Sequence, residues 1–448
     1  MGCISMDYVM ISIRFFSAIL ASLCCLPAAM TAQTAKLEYV AVMNRHGVRA
    51  STWTNDHLNE YSLDPWPKFD VAPGELTPHG RAQMKLLGAY DREYLTQAGL
   101  ISGKGCDDTS RFYFWSDTTP RDLESGKWLA AGLFPDCTVS IHAAPVGTSD
   151  PMFAALSLLK PDANFSAAAL LGRLGGHPET LDTTYREQLE AMERVLLGCD
   201  PGKNCPPGKA PKQSLLEQTS AVHAEPGHMA QLTGPLSAAS TIAETLLMEY
   251  ADGMKDRDLG WGRLDKAKVR ELMFLQDAAN ELQFRAPYFA RSYGSNLLSH
   301  MLRSMQQAVS GVKVEGALGQ PGDRGLYLLG HDSDISFFAG MLGLSWVLAD
   351  YASNCRPPGG ALVFEIWRDT ATGKRSVRTY LLAQTLDQLR YNTPLSLQTP
   401  PAKAPIFIPG CSTAAEGWPC DWDAFQRTLQ GAIDPAFVTV GAPAKRPD

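Results

Sequence analysis

The chain has 448 residues, of which 45% are hydrophobic and 19% charged, with a formal net charge of −7 at pH 7. These values describe an ordinary globular protein long enough for two or three domains, and they exclude a disordered or fibrous chain. The mildly acidic balance argues against a nucleic-acid partner, which requires a basic stripe.

The amino terminus carries Arg14, then a largely apolar run from Phe15 to Ala29, then small residues up to Ala32. That run is short for a spanning helix and suits the core of a secretory signal, so residues 1–32 are expected to be a signal peptide cleaved near Ala32. Asp7 is unusual in such a segment, and a start at Met6 or Met10 gives a more ordinary one. The expectation is a periplasmic or secreted protein with no membrane contact after cleavage. Seven of the ten cysteines lie beyond this segment. In an oxidising compartment Cys199 with Cys205 and Cys411 with Cys420 each close a small loop, and the odd count points to a free thiol at Cys355.

Leu37 to Asn44 is apolar and partly β-branched, which predicts a buried strand. It runs directly into Arg45-His46-Gly47-Val48-Arg49. Two arginine forks suit a phosphate or carboxylate, the imidazole between them can act as nucleophile or base, and Gly47 allows close approach to the backbone. Thr77-Pro78 reads as a helix start, with Leu86, Tyr90 and Tyr94 at helical spacing until Gly99. A second strand, Arg111 to Asp117, leads into TTPRDLESGKWLAAG, where Thr119 and Asp122 suggest a capping box and Arg121 stands in the helix's first turn. From 151 to 285 the pattern is helical, interrupted by a loop rich in Pro, Gly and Lys at 198–212. Strand character returns at Arg324 to Gly330, followed by His331-Asp332-Ser333 and an apolar helix from about Asp334 to Leu342, stopped by Gly343. ALVFEIWRD and RSVRTYLLAQ then flank ATGK as a hairpin.

This pattern predicts an α/β fold: an open, mostly parallel sheet flanked by helices, formed by 33–150 and 286–448, with 151–285 as an inserted, mainly helical domain. Three strands are each followed at once by phosphate-competent groups. In open α/β sheets ligands bind beyond the strands' carboxyl ends, where helix amino termini favour anions. Phosphoryl transfer needs cationic donors for the equatorial oxygens, an in-line nucleophile and an acid for the leaving group. His46 fits the nucleophile, Arg45, Arg49, Arg121 and His331 the clamp, and Asp332 the acid. Neighbouring positive charge keeps His46 neutral to low pH, and keeps Asp332 ionised unless a bound phosphate dianion outweighs it. No HExxH, GxGxxG, GxxxxGK[ST] or GxSxG occurs, and His223 with His228 has a spacing that does not stack on one helix face. No metal or other cofactor is expected.

The same residues resemble the histidine acid phosphatases, most of all the bacterial periplasmic 4-phytases and glucose-1-phosphatases. The resemblance is carried by RHGVRAST at 45–52, LTPHG at 76–80, AAGLFPDC at 130–137, GWGR at 260–263, GHDSDI at 330–335, PPGGALVFEIWR at 357–368 and TPLSL at 393–397. It implies that His46 becomes a phosphohistidine, that Arg45, Arg49, Arg121 and His331 hold phosphate with Thr52 and Glu244 nearby, and that Asp332 donates the proton. It also implies a Cys106–Cys137 bridge beside the two short ones. The chain departs from the family at Ser51, where proline is usual, at Ser333-Asp334 after the His-Asp pair, and at Trp53 and Gln276, where phytases carry lysine and histidine. A substrate with six phosphates needs basic groups around its pocket, so these last two weigh against phytate. The reading is a phosphomonoesterase acting on sugar or inositol phosphates. Phosphotransfer to an acceptor other than water and noncatalytic phosphate binding are the alternatives.

Overall fold

Strand β1 (Ala35–Arg45) is the spine of the molecule. In the computed structural model it pairs in parallel with β6 (Gly325–Gly330) on one side and antiparallel with β7 (Ala361–Asp369) on the other. β2 (Phe112–Ser116) lies parallel to β6, and the short β3 (Ile141–His142) continues the sheet in parallel. Beyond β7 the pairing is antiparallel, through β8 (Arg375–Ala383) to β9 (Ala402–Pro405) and β10 (Cys420–Asp421). The expected parallel arrangement is thus the half of the eight-stranded sheet that carries the charged strand ends. The structure describes residues 35–441 and 443, apart from 146, 155, 157–160, 201–202 and 207–210. The proposed signal segment lies outside the described residues.

The register explains why three distant stretches meet. Arg45 stands opposite Gly330, and Ser116 opposite Leu329, so β1, β6 and β2 end level with one another. Cross-strand bonds continue one residue past the ends: His46 N–H donates to the Gly330 carbonyl at 2.8 Å and Asp117 N–H to the Leu329 carbonyl at 2.9 Å. From these ends the chain enters helices. The Thr77 hydroxyl caps α2 (Pro78–Gln97) by accepting from Gly80 N–H. Helix α3 (Pro120–Leu133) follows β2, and α10 (Asp332–Leu342) follows β6 and stops at Gly343, whose φ of 64° suits glycine. The last of these begins at Asp332, two residues earlier than expected. The Thr119–Asp122 capping box is not formed as such. Thr119 donates its hydroxyl to the Asp122 carboxylate and caps no backbone amide, because Asp122 is drawn toward His331.

Two cores cover the sheet. On β1, Tyr39, Ala41 and Met43 face one, and Val40 and Val42 the other, as the two-residue period of a strand requires. A bulge between Leu37 and Tyr39 puts Leu37 on the side of Val40. The face of Val40 packs on α2 and α3. The opposite face packs on a helical layer built from α4 (Ala163–Arg173), α6 (Arg186–Leu197), α7 (Pro235–Ala251), α8 (Lys266–Gln283) and α9 (Pro287–Ser310). A small hairpin, β4 (Ala221–His223) with β5 (Gln231–Thr233), interrupts the otherwise helical 151–285 stretch. From Ala35 onward the chain forms one compact unit. Disulfides join Cys106–Cys137, Cys199–Cys205 and Cys411–Cys420, and Cys355 is a buried free thiol. Among the described residues no helix is long and apolar enough to cross a membrane.

Candidate active site

Gly47 turns the chain just after β1, and a Cβ there would lie 2.8 Å from Met84 and 3.2 Å from the Gly80 carbonyl, so only glycine fits without displacement. Its N–H donates to Ser125 Oγ at 2.9 Å, and Ser125 in turn donates to the Arg121 carbonyl at 2.7 Å. One hydroxyl thus ties the loop after β1 to the first turn of α3. The Gly359 N–H donates to the His46 carbonyl at 2.8 Å and fixes the loop from the other side. His46 is 2% exposed. Its Nδ1 lies 2.8 Å from the Gly47 carbonyl, a partner that can only accept, so Nδ1 carries the proton and Nε2 is left with a free lone pair. Burial, then the charges of Arg49, Arg45, Arg121 and His331, hold the imidazole well below its usual range. His46 is therefore held as a neutral imidazole even in acid.

Arg45 and Arg49 are both buried and share one carboxylate, Glu244 of α7: Arg45 pairs with Oε1, and Arg49 with Oε2 at 2.7 Å. Arg45 also donates to the Arg356 carbonyl. Across the site the imidazole of His331 stands edge to face with that of His46, ring centres 5.8 Å apart. Burial lowers the affinity of His331 for its proton, but Asp122 and Asp334 outweigh it and push its pKa up to about 9. Its Nε2 lies 3.3 Å from Asp122 Oδ2 and 2.6 Å from an Arg121 Nη. With the ring protonated, Nε2 donates to Asp122 and the Arg121 approach places two donors side by side. Asp332 opens α10. Burial raises its pKa, but Arg45, Arg356, His331 and Arg49 outweigh burial and hold it below the usual carboxylate range. Gln276 approaches it at 3.5 Å.

Seven of the eight residues singled out from sequence therefore converge. Thr52 does not join them by hydrogen bond among the described residues: it is exposed, and a Cβ at Gly74 would lie 4.0 Å from its methyl and 3.7 Å from Arg121. Sequence reasoning missed Asp122, Ser125 and Arg356. A local capping rule accounts for Asp122 in the sequence, and the other two are recognisable only through contacts across the fold. Asp117, Asp122 and His331 have donor atoms within 4.8 Å of one another. A protonated His331 beside Arg121 opposes a cation there. A larger cavity of about 960 Å3, on the outer face of α2 and α3, is lined by none of the site residues.

Residues 36–194 and 243–381 match the histidine phosphatase superfamily, branch 2. The chain belongs to this superfamily. As a branch 2 member it is similar to phytase AppA of Escherichia coli, with 32% identity over 90% of this chain and 93% of that protein. It is also similar to the glucose-1-phosphatase of Providencia rettgeri, with 29% identity over 89% of this chain and 92% of that one. Among solved structures, the Hafnia alvei phytase in complex with tartrate superposes with a TM-score of 0.82 at 31% identity, covering 91% of this chain and all of that one. The same phytase in complex with myo-inositol hexakis sulphate gives 0.80.

Proposed function

We propose that this phosphomonoester hydrolase works through a covalent phosphohistidine on His46. The observation that carries the reading is the His46 tautomer: Nδ1 is occupied by the Gly47 carbonyl, so the free Nε2 is directed away from its own loop, among four cationic groups. The substrate's phosphoryl oxygens take the forks of Arg45, Arg49 and Arg121 and the protonated His331. These donors offset the charge that spreads over the equatorial oxygens in the transition state. His46 Nε2 forms the P–N bond as the ester P–O bond breaks, and Asp332 hands its proton to the departing oxygen. In the second step water attacks phosphorus, the Asp332 carboxylate accepts the water's proton, and the P–N bond breaks to release inorganic phosphate. Asp332 acquires its proton once the bound phosphate dianion offsets Arg45 and Arg356.

The three disulfides and the signal-like 1–32 segment support export to an oxidising compartment, the periplasm or the exterior. Helices α7 and α8 supply one wall of the pocket, the role we assign to the 151–285 block as an inserted domain. Sugar phosphates and inositol phosphates are the substrate classes suggested by the relatives. The test is hydrolysis of a generic aryl phosphate. His46→Ala should abolish it and a chelator should leave it unchanged; activity surviving in the variant, or lost to the chelator, overturns the reading.

A further inference from the structure

Next to the phosphoryl-binding cluster lies a cavity of about 260 Å3 between α7, α8 and the start of α10. Asp332 lines it, and so does Glu244. On the mechanism proposed above, the leaving-group oxygen must face Asp332, so the alcohol part of the substrate occupies this cavity. The rest of its polar lining is uncharged: the hydroxyls of Ser237, Ser240 and Thr241, and the carboxamides of Gln231, Gln276, Asn280 and Gln283. Among the described residues no lysine or arginine lines it, and its two charged groups are both carboxylates.

We infer that this cavity selects a neutral, polyhydroxylated leaving group of about monosaccharide size and discriminates against leaving groups that carry further phosphates. Carboxamides and hydroxyls each offer both a donor and an acceptor, which matches an alcohol that is itself donor and acceptor at every carbon. Carboxylates add acceptors for the same hydroxyls. A second phosphate in this cavity would lose water without gaining a cation and would lie against Glu244 and Asp332, a doubly unfavourable exchange. Glu244 has a part in this selection. Its carboxylate pairs with the forks of Arg45 and Arg49 that the phosphoryl group needs. When the phosphoryl group displaces it, its carboxylate remains at the junction with the cavity, where it accepts from sugar hydroxyls and repels anions.

This inference rests on the phosphatase reading, and one set of measurements separates the two. The full chain is assayed for kcat/KM on p-nitrophenyl phosphate, glucose 1-phosphate, fructose 1,6-bisphosphate and phytate. Glucose 1-phosphate should exceed both polyphosphorylated substrates by about tenfold or more. Thr241→Lys on α7 and Asn280→Lys on α8 place a cation in the cavity from opposite walls, and each should raise the ratio of phytate to glucose 1-phosphate by about tenfold. Two variants on different helices, each checked for folding by circular dichroism, guard against the loss of one. If phytate or the bisphosphate equals or exceeds glucose 1-phosphate in the parent, or if a folded lysine variant leaves the ratio unchanged, the cavity assignment is overturned while the phosphatase reading stands. If the aryl phosphate is not hydrolysed, the phosphatase reading itself fails and the cavity assignment falls with it.

Discussion

The two ends of the substrate pocket are built on opposite principles. The phosphoryl end is made by strand termini and is crowded with charge: Arg45, Arg49, Arg121 and His331, with Asp122 and Glu244 as counter-ions. The leaving-group end is made by helix faces and the β5 edge and is neutral apart from two carboxylates. Hydrogen bonds across the ends of β1, β6 and β2 hold the first in register, whereas the packing of α7 and α8 sets the second, with Leu232 N–H of β5 donating to the Gln283 side chain at 3.0 Å. Rigid, preorganised charge is what transition-state stabilisation requires, and a neutral wall of adaptable side chains is what discrimination among alcohols requires.

This division can be broken at its charged end first. His46→Ala removes the nucleophile and should lower kcat by at least about 10³-fold on every phosphomonoester, whatever its alcohol. Asp332→Asn should lower kcat/KM, which reports formation of the phosphohistidine and not its hydrolysis, by about 10²–10⁴-fold on an alkyl phosphate, whose leaving group needs a proton, and much less on p-nitrophenyl phosphate, whose leaving group does not. Equal losses on both would remove Asp332 from the proton-donor role. Arg121→Ala should cost about 10²–10³-fold and weaken inhibition by inorganic phosphate in parallel.

The smaller effects concern pH. Asp122 helps to hold His331 protonated up to about 9, so Asp122→Asn should shift the alkaline limb of kcat/KM to lower pH. Burial raises the pKa of Asp122 itself to about 6, against the pull of His331 and Arg121, so variant and parent should converge below that pH. An unmoved alkaline limb would mean that His331 owes its proton to Asp334 alone. Away from the site, burial pushes Asp91, bonded by the Tyr327 hydroxyl at 3.0 Å, up to about 7, and Glu249 on α7 up to about 8. For both, the folded pKa lies above the unfolded one, so the fold binds the proton more tightly. Their stabilising contribution is complete below the unfolded carboxylate range of about 4 and is lost as pH rises through the folded values. Melting temperature should therefore fall between about pH 5 and 8, and Glu249→Gln should flatten that slope, a difference on the order of 1 kcal/mol or more at pH 8.

The charged end was legible in the sequence and the neutral end was not, and the reason is physical. Strand periodicity marks where β1, β2 and β6 stop, and in a parallel sheet those stops share one edge, so Arg45, His46, Arg121, His331 and Asp332 could be placed together before any contact was seen. Glu244 stood out only through the family resemblance, since a glutamate on a helix otherwise reads as solvated. Ser240, Thr241, Asn280 and Gln283 have the same pattern as a wet helix face, and only the packing of α7 against α8 turns them into a cavity wall. Asp122 shows the opposite failure: a sound local capping rule was overridden by the pull of His331.

The covalent bond to His46 can be captured chemically. The enzyme is mixed with an excess of 32P-labelled monoester and quenched within milliseconds into denaturing alkali, which preserves the acid-labile P–N bond, and the protein is digested and mapped. Label is expected on the peptide containing His46, absent in His46→Ala and persisting longer in Asp332→Asn. Turnover with no label on that peptide would rule out the phosphohistidine.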